Sequence, residues 1–203
     1  MTKLIIIRAG QTEWHEQGRL AGDTDLALSE IGHRQAVADA RTAGAYKPAA
    51  VRCGSEGAAV RTAAVIADEL GVKTRTIKAL REMNLGTWQG LRIEEFRERF
   101  AKVYRQWRSD PTSVTPPDGE PVSDAQARLL AGLGKPVKRY DGKSIVVVVG
   151  SLAHAILRCR LIDNSYAPFW DYYEDDARIT PVDLSAVQLE KILTADSTPA
   201  ARA

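Results

Sequence analysis

Histidines and cysteines, the side chains best suited to act as nucleophiles, metal ligands or proton carriers near neutral pH, are few in this chain and stand far apart. The three histidines, His15, His33 and His154, share no ligand spacing, and the two cysteines, Cys53 and Cys159, form no paired motif. A structural or catalytic metal needs several such donors at short, regular intervals. No metal or cofactor is therefore expected, and the cysteines read as buried thiols without chemistry. More promising are Arg8, at the end of the apolar run LIIIR, and Glu82, in LREMNLGTWQG. A guanidinium and a carboxyl of this kind are either an ion pair at a strand end or the charged part of a pocket.

Composition narrows the partners. The 203 residues include 28 basic and 26 acidic ones, a formal charge of +2 spread along the chain. No basic run or stripe is present that would neutralise successive phosphates, so nucleic acid is not expected as a partner. No stretch approaches the ~18 consecutive apolar residues of a membrane span, and the first apolar run is too short for a signal peptide. These readings predict a cytoplasmic protein that does not bind membranes.

Any pocket must be positioned by regular elements. Residues 3–8 and 144–149 (SIVVVV) are short apolar runs of the kind found in buried strands, and 49–53, 72–77 and 178–184 read as further strands. Ser29 is a helix N-cap before Ala36, Val37 and Ala40, and residues 56–70 read as a helix closed by Gly71. Residues 93–107 carry Phe96, Phe100, Val103, Tyr104 and Trp107 at helical spacing, a core stripe. A Pro-rich loop at 112–121, a helix at 122–133 and another at 153–162 complete the reading, with a flexible tail over 194–203 after a single domain at 1–193. The β-α-β-α-β order predicts an α/β layer fold.

The opening segment LIIIRAGQTEWHEQGRLAGDTDLALSEIGHRQA resembles the N-terminal signature of the histidine phosphatase superfamily, in which a strand ends in Arg-His-Gly followed by Gln/Glu-Thr. Further similarity lies in GSEGAAVRTAAVIA, LREMNLGTWQG, PPDGEPVSD, GKSIVVVVG and FWDYYEDDARIT, in family order over nearly the whole chain. The resemblance implies a three-layer α/β/α sandwich with a mixed, largely parallel central sheet, like phosphoglycerate mutase. It also implies a site in which a histidine takes the phosphoryl group, arginines and a second histidine bind its oxygens, and a carboxylic acid protonates the leaving group. An imidazole suits the first task because its nitrogen attacks without losing a strongly held proton, and the spread charge of the transition state calls for fixed donors.

Carried over position by position, the resemblance places Arg8, Gln11, Thr12 and Arg19 around the phosphate and makes Glu82 the acid/base. At the nucleophile's place the chain reads Arg8-Ala9-Gly10, and a methyl group accepts no phosphoryl group. Counting back from Thr62-Ala63 in the second motif puts Ala58 at the arginine and Gly54 at a serine. The second histidine falls at Gly150, or at Ser151 with a shift of one. His15 stands where the family often has asparagine, which puts an imidazole at the pocket rim, whereas His154 should point elsewhere from within its helix.

These replacements remove side-chain volume and positive charge together, so the expected pocket is larger and less cationic than a phosphatase's. The leading expectation is a protein that cannot hydrolyse phosphomonoesters by the family route and binds a small anionic metabolite in the old pocket. Two alternatives accompany it: a repurposed isomerase, cyclase or lyase using Glu82 as acid/base, and a phosphatase inactivated by deliberate substitution.

Overall fold

Hydrophobic alternation along two central strands sets the architecture. In β1 (Lys3–Arg8) Leu4 and Ile6 point to one face and Ile5 and Ile7 to the other, and all four are fully buried. β4 (Ser144–Val149) behaves alike, as expected for strands covered on both faces. The computed structural model describes residues 1–197. Its sheet has the order β3-β2-β4-β1-β5, with β2 (Val51–Cys53) and β3 (Thr74–Thr76) parallel to the central pair. Only β5 (Ile179–Asp183) runs antiparallel, along β1.

One face is small and alanine-rich. α2 (Glu30–Gly44) and α3 (Gly57–Leu70) lay Ala40, Ala43, Ala59, Ala63 and Ile66 on Ile5, Ile7, Val146 and Val148. The Ser29 hydroxyl caps α2 by accepting from the Gly32 N–H at 3.2 Å, and Gly71 closes α3 at φ +63°. The other face is bulky and aromatic, and is built from α4 (Ile93–Arg99), α5 (Ala101–Ser109), α6 (Val122–Arg139), α7 (Ser151–Arg158) and α8 (Phe169–Glu174), with α9 (Ala186–Ser197) against α6. A three-layer α/β/α sandwich with a largely parallel sheet is thus what the chain forms.

Several element boundaries differ from the sequence reading. The single helix expected over 93–107 is two, broken at Phe100 (φ −124°, ψ 42°). The break lets Phe96 and Trp107 approach Trp88 from two directions, with ring centroids at 4.6 and 5.4 Å. α6 continues through Pro136 to Arg139, and α7 starts at Ser151 and passes into a π-helical turn at Cys159–Asp163. α8 and α9 were not foreseen. α9 takes in residues 194–197, assigned above to a tail; residues 198–203 lie outside the described ones.

Candidate functional site

β1 and β4 end side by side, Arg8 in register with Val149, so the segments that follow them meet at one edge of the sheet. Ala9 continues the pairing, its N–H donating to Val149 O at 2.8 Å. Gly10 then passes so close to α2 that a Cβ there would lie 2.5 Å from Gly32 O, which requires glycine. Its N–H donates to Thr62 Oγ1 at 2.9 Å, which ties the loop to α3. The cavity at this meeting point is lined by Ala9, Thr12, His15, Glu56, Ala58, Glu82, Gly150 and Ser151 among others.

Glu82 dominates it. Its Oε1 accepts from the Met83 N–H at 2.6 Å and the Ala153 N–H at 2.8 Å, and its Oε2 accepts from the Leu152 N–H at 2.8 Å. The last two are free amides of the first turn of α7, where unpaired N–H groups and the helix dipole favour negative charge. A Cβ on Gly150 would lie 2.3 Å from Glu82 Oε2, so glycine leaves the space that the carboxyl fills. Arg128 of α6 fixes the loop from behind, donating to the carbonyls of Ala79, Arg81 and Glu82 at 2.9, 2.8 and 3.3 Å. Burial, with the nearby Glu56 charge, outweighs the three amides and pushes the Glu82 carboxyl up to about 8.

The enlarged cavity expected from the small residues is absent. The space measures about 30 Å³, room for little more than a water molecule, because Glu82 fills the volume beside Gly150. Glu56, which the sequence reading missed, is the second acid of the pocket. Its Oε1 accepts from the Glu82 N–H at 3.2 Å and its buried Oε2 has no partner among the described residues. Burial raises its carboxyl as well. An acid at the start of the GSEGAAV helix was the signal available for it.

The basic groups are arranged differently from the expectation. Arg8 does not face the cavity: its guanidinium donates to Tyr172 O at 2.9 Å and Asp175 O at 3.1 Å, and pairs with Asp175 Oδ1 at 3.2 Å. Arg158 holds the other carboxylate oxygen at 2.7 Å, so Asp175, in the acidic run after α8, occupies both guanidinium groups. Arg19 is turned to Gln17 Oε1 at 2.9 Å and Gly90 O at 2.7 Å, and the Gln11 N–H donates to Gln35 Oε1 at 3.0 Å; neither residue lines the cavity.

Thr12 and His15 do line it, joined across the short helix α1 (Glu13–Glu16). His15 Nδ1 accepts from the Thr12 N–H at 3.2 Å and lies 2.8 Å from Thr12 Oγ1. That bond leaves the proton of the neutral ring on Nε2. Burial, then the charges of Arg8 and Arg178, keeps the His15 ring below its ordinary pKa. His154 is fully buried, its Nε2 3.4 Å from Thr180 Oγ1, and burial holds it well below the usual imidazole range. Among the described residues no cluster of His, Cys, Asp and Glu is arranged to hold a metal.

The histidine phosphatase superfamily (branch 1) model matches residues 4–195. The chain belongs to that superfamily. It is 36% identical over 151 residues to the bifunctional protein Rv2228c of Mycobacterium tuberculosis, which covers 72% of this chain but only 40% of that protein. Phosphoserine phosphatase 1 of Hydrogenobacter thermophilus is 27% identical over 177 residues, covering 87% of this chain and 84% of that one. Among solved structures, a mycobacterial glucosyl-3-phosphoglycerate phosphatase complexed with VO3 superposes with a TM-score of 0.74 at 29% identity, covering 82% of this chain and 85% of that one. Among the described residues no helix is long and apolar enough to cross a membrane.

Proposed function

We propose that this member of the superfamily does not hydrolyse phosphomonoesters through a phosphohistidine and instead binds a small anionic metabolite, carboxylate- or phosphate-bearing, between Ala9 and the start of α7. One observation carries the reading: the amides of Met83, Leu152 and Ala153 already cradle the two oxygens of a carboxyl group, that of Glu82. A ligand anion takes the same amides once Glu82 swings aside, in the way anions settle at helix N-termini. The loss of hydrolysis follows from the family pattern. Ala9 stands in the place of the phosphorylated histidine, Ala58 in that of the second arginine, and Gly150 in that of the second histidine. No histidine remains at the family's nucleophile position to form the covalent intermediate, and each missing donor to the transition-state charge costs about 10²–10³ in rate.

A second reading, acid/base catalysis by Glu82, draws on the same carboxyl. A group that titrates at about 8 exchanges protons near neutrality, as a catalytic acid or base must. Turnover of any substrate that stops in Glu82→Gln while binding persists would favour this reading.

The test is a steady-state hydrolysis screen over phosphomonoesters that includes phosphoserine and glucosyl-3-phosphoglycerate, beside calorimetric titration with phosphate and small carboxylates. The expected result is no hydrolysis, with saturable anion binding that tightens about tenfold in Glu82→Ala because the internal competitor is gone. Hydrolysis at ordinary enzymatic rates by the unaltered chain overturns the proposal. Ala9→His with Ala58→Arg is the informative gain-of-function pair. Adding Gly150→His requires Glu82 to vacate its amides first, since its carboxyl oxygen lies 2.3 Å from where the new Cβ would be.

A further inference from the structure

The open edge of the sheet carries a second concavity, away from the cavity at Ala9. β3 has β2 as its only neighbour, and Thr74, Arg75 and Thr76 are all exposed. Between this edge and the last turns of α6 runs a groove of about 1060 Å³. Among the described residues, Arg52, Lys73, Arg75, Lys135, Lys138 and Arg139 line it, and no Asp or Glu does. In a chain with 28 basic and 26 acidic residues, five cations besides Lys138 along one groove are a local concentration of charge.

The placement of these cations makes their charge costly. Arg52 and Arg75 are register partners on adjacent parallel strands, so their side chains leave the same face of the sheet next to one another. Like charges so placed repel. Arg52 is also buried, 7% exposed, its guanidinium donating to Val51 O at 2.6 Å and Tyr140 Oη at 2.7 Å and lying 5.1 Å from the Tyr140 ring centroid. Among the described residues Arg52, Lys73, Arg75, Lys135 and Arg139 make no ion pair. The helix dipole accounts for Lys138 and Arg139 in the last turn of α6 and leaves the two strand arginines unexplained. Burial raises the Tyr140 phenol, yet the bond and charge from Arg52, with Arg139, bring it below its ordinary pKa, as a strongly positive surrounding does.

We propose that this groove binds a small molecule carrying two or more phosphate groups, held by Arg75, Lys135 and Arg139 around buried Arg52 and its half-buried partner Tyr140. Guanidinium groups match phosphate oxygens in pairs. The groove's size lies at the upper end of small-molecule sites. The sequence carries no basic run of the kind that tracks a polymer backbone, and cations gathered in one concavity suit a compact polyanion better than nucleic acid.

The experiment is calorimetric titration of the full chain with tripolyphosphate, in parallel with orthophosphate, a single-stranded oligonucleotide series and the variants Arg75→Ala/Lys135→Ala and Glu82→Ala. Saturable one-to-one binding of tripolyphosphate is expected, at least tenfold tighter than orthophosphate and at least tenfold weaker in the double variant. Both altered side chains are exposed, and circular dichroism checks that the fold is kept. Tripolyphosphate affinity that rises about tenfold in Glu82→Ala, as expected of anions at the cavity at Ala9, would assign the binding to that cavity and overturn the proposal. Absence of saturable binding, or equal affinity in the double variant, overturns the proposal. So does oligonucleotide affinity that grows with length, which would assign the groove to a polymer.

Discussion

At the scale of single residues, the cavity is governed by a carboxyl that has taken up an anion's position. Glu82 binds three backbone amides and yet titrates at about 8, because it is buried and Glu56 lies close. Its folded pKa is above the unfolded value of 4.5, so its share of stability is complete below pH 4.5 and is lost as pH rises through 8. Thermal unfolding of the unaltered chain and of Glu82→Gln between pH 5 and 9 checks this: the unaltered chain should lose a few kcal/mol more than the variant. Parallel slopes would mean that Glu82 is ionised throughout. The same titration governs the proposed ligand, whose affinity falls above pH 8 as the ionised Glu82 competes for the amides. Glu82 was legible as the acid of LREMNLGTWQG. That Arg8 turns to Asp175 was not, because an ion pair between residues 8 and 175 depends on how α8 packs, and no local pattern encodes that.

At the scale of elements, the cavity is closed by the fit of a loop against a helix start. The N-cap of α7 is Gly150, and glycine there is a packing requirement of the Glu82 loop: a Cβ would come within 2.3 Å of Oε2 and 2.6 Å of Cδ. Gly150→Ala should therefore expel the carboxyl and strand the Leu152 and Ala153 amides, at a cost of about 1–3 kcal/mol. In a Glu82→Ala background the clash is gone and the same substitution should cost much less, a coupling that a double-mutant cycle in urea measures directly. Additive effects would show that loop and helix do not depend on one another. The Ser29 and Gly71 caps were readable because a cap is a local chemical event. The break at Phe100 was not, since the periodicity of Phe96, Tyr104 and Trp107 continues through it and only the approach of Trp88 separates the two helices.

For the whole molecule, the sheet divides two unlike cores. Short side chains of α2 and α3 form a thin layer on one face, while the rings of Trp88, Phe96, Trp107 and Phe169 fill a thick one on the other. The layer order was visible in the sequence because buried parallel strands are runs of Ile and Val separated by helices. α9 was missed because its polar residues and the small ones that follow read as a tail. In the fold α9 packs along α6 and buries Ile192 completely, beside a helix whose Leu129 and Leu133 belong to the same core. Full burial of an isoleucine is worth about 1.5–3 kcal/mol, so α9 acts as a wall of the thick layer. Truncation after Ser185 should then lower both the urea midpoint and the m-value, as the exposed face of α6 is lost from the cooperative unit. Ile192→Ala, which keeps the helix and removes only its anchor, should lower the midpoint alone. A truncated chain that unfolds at the original midpoint would place α9 outside the core, and stability would then rest on the sheet and its first eight helices.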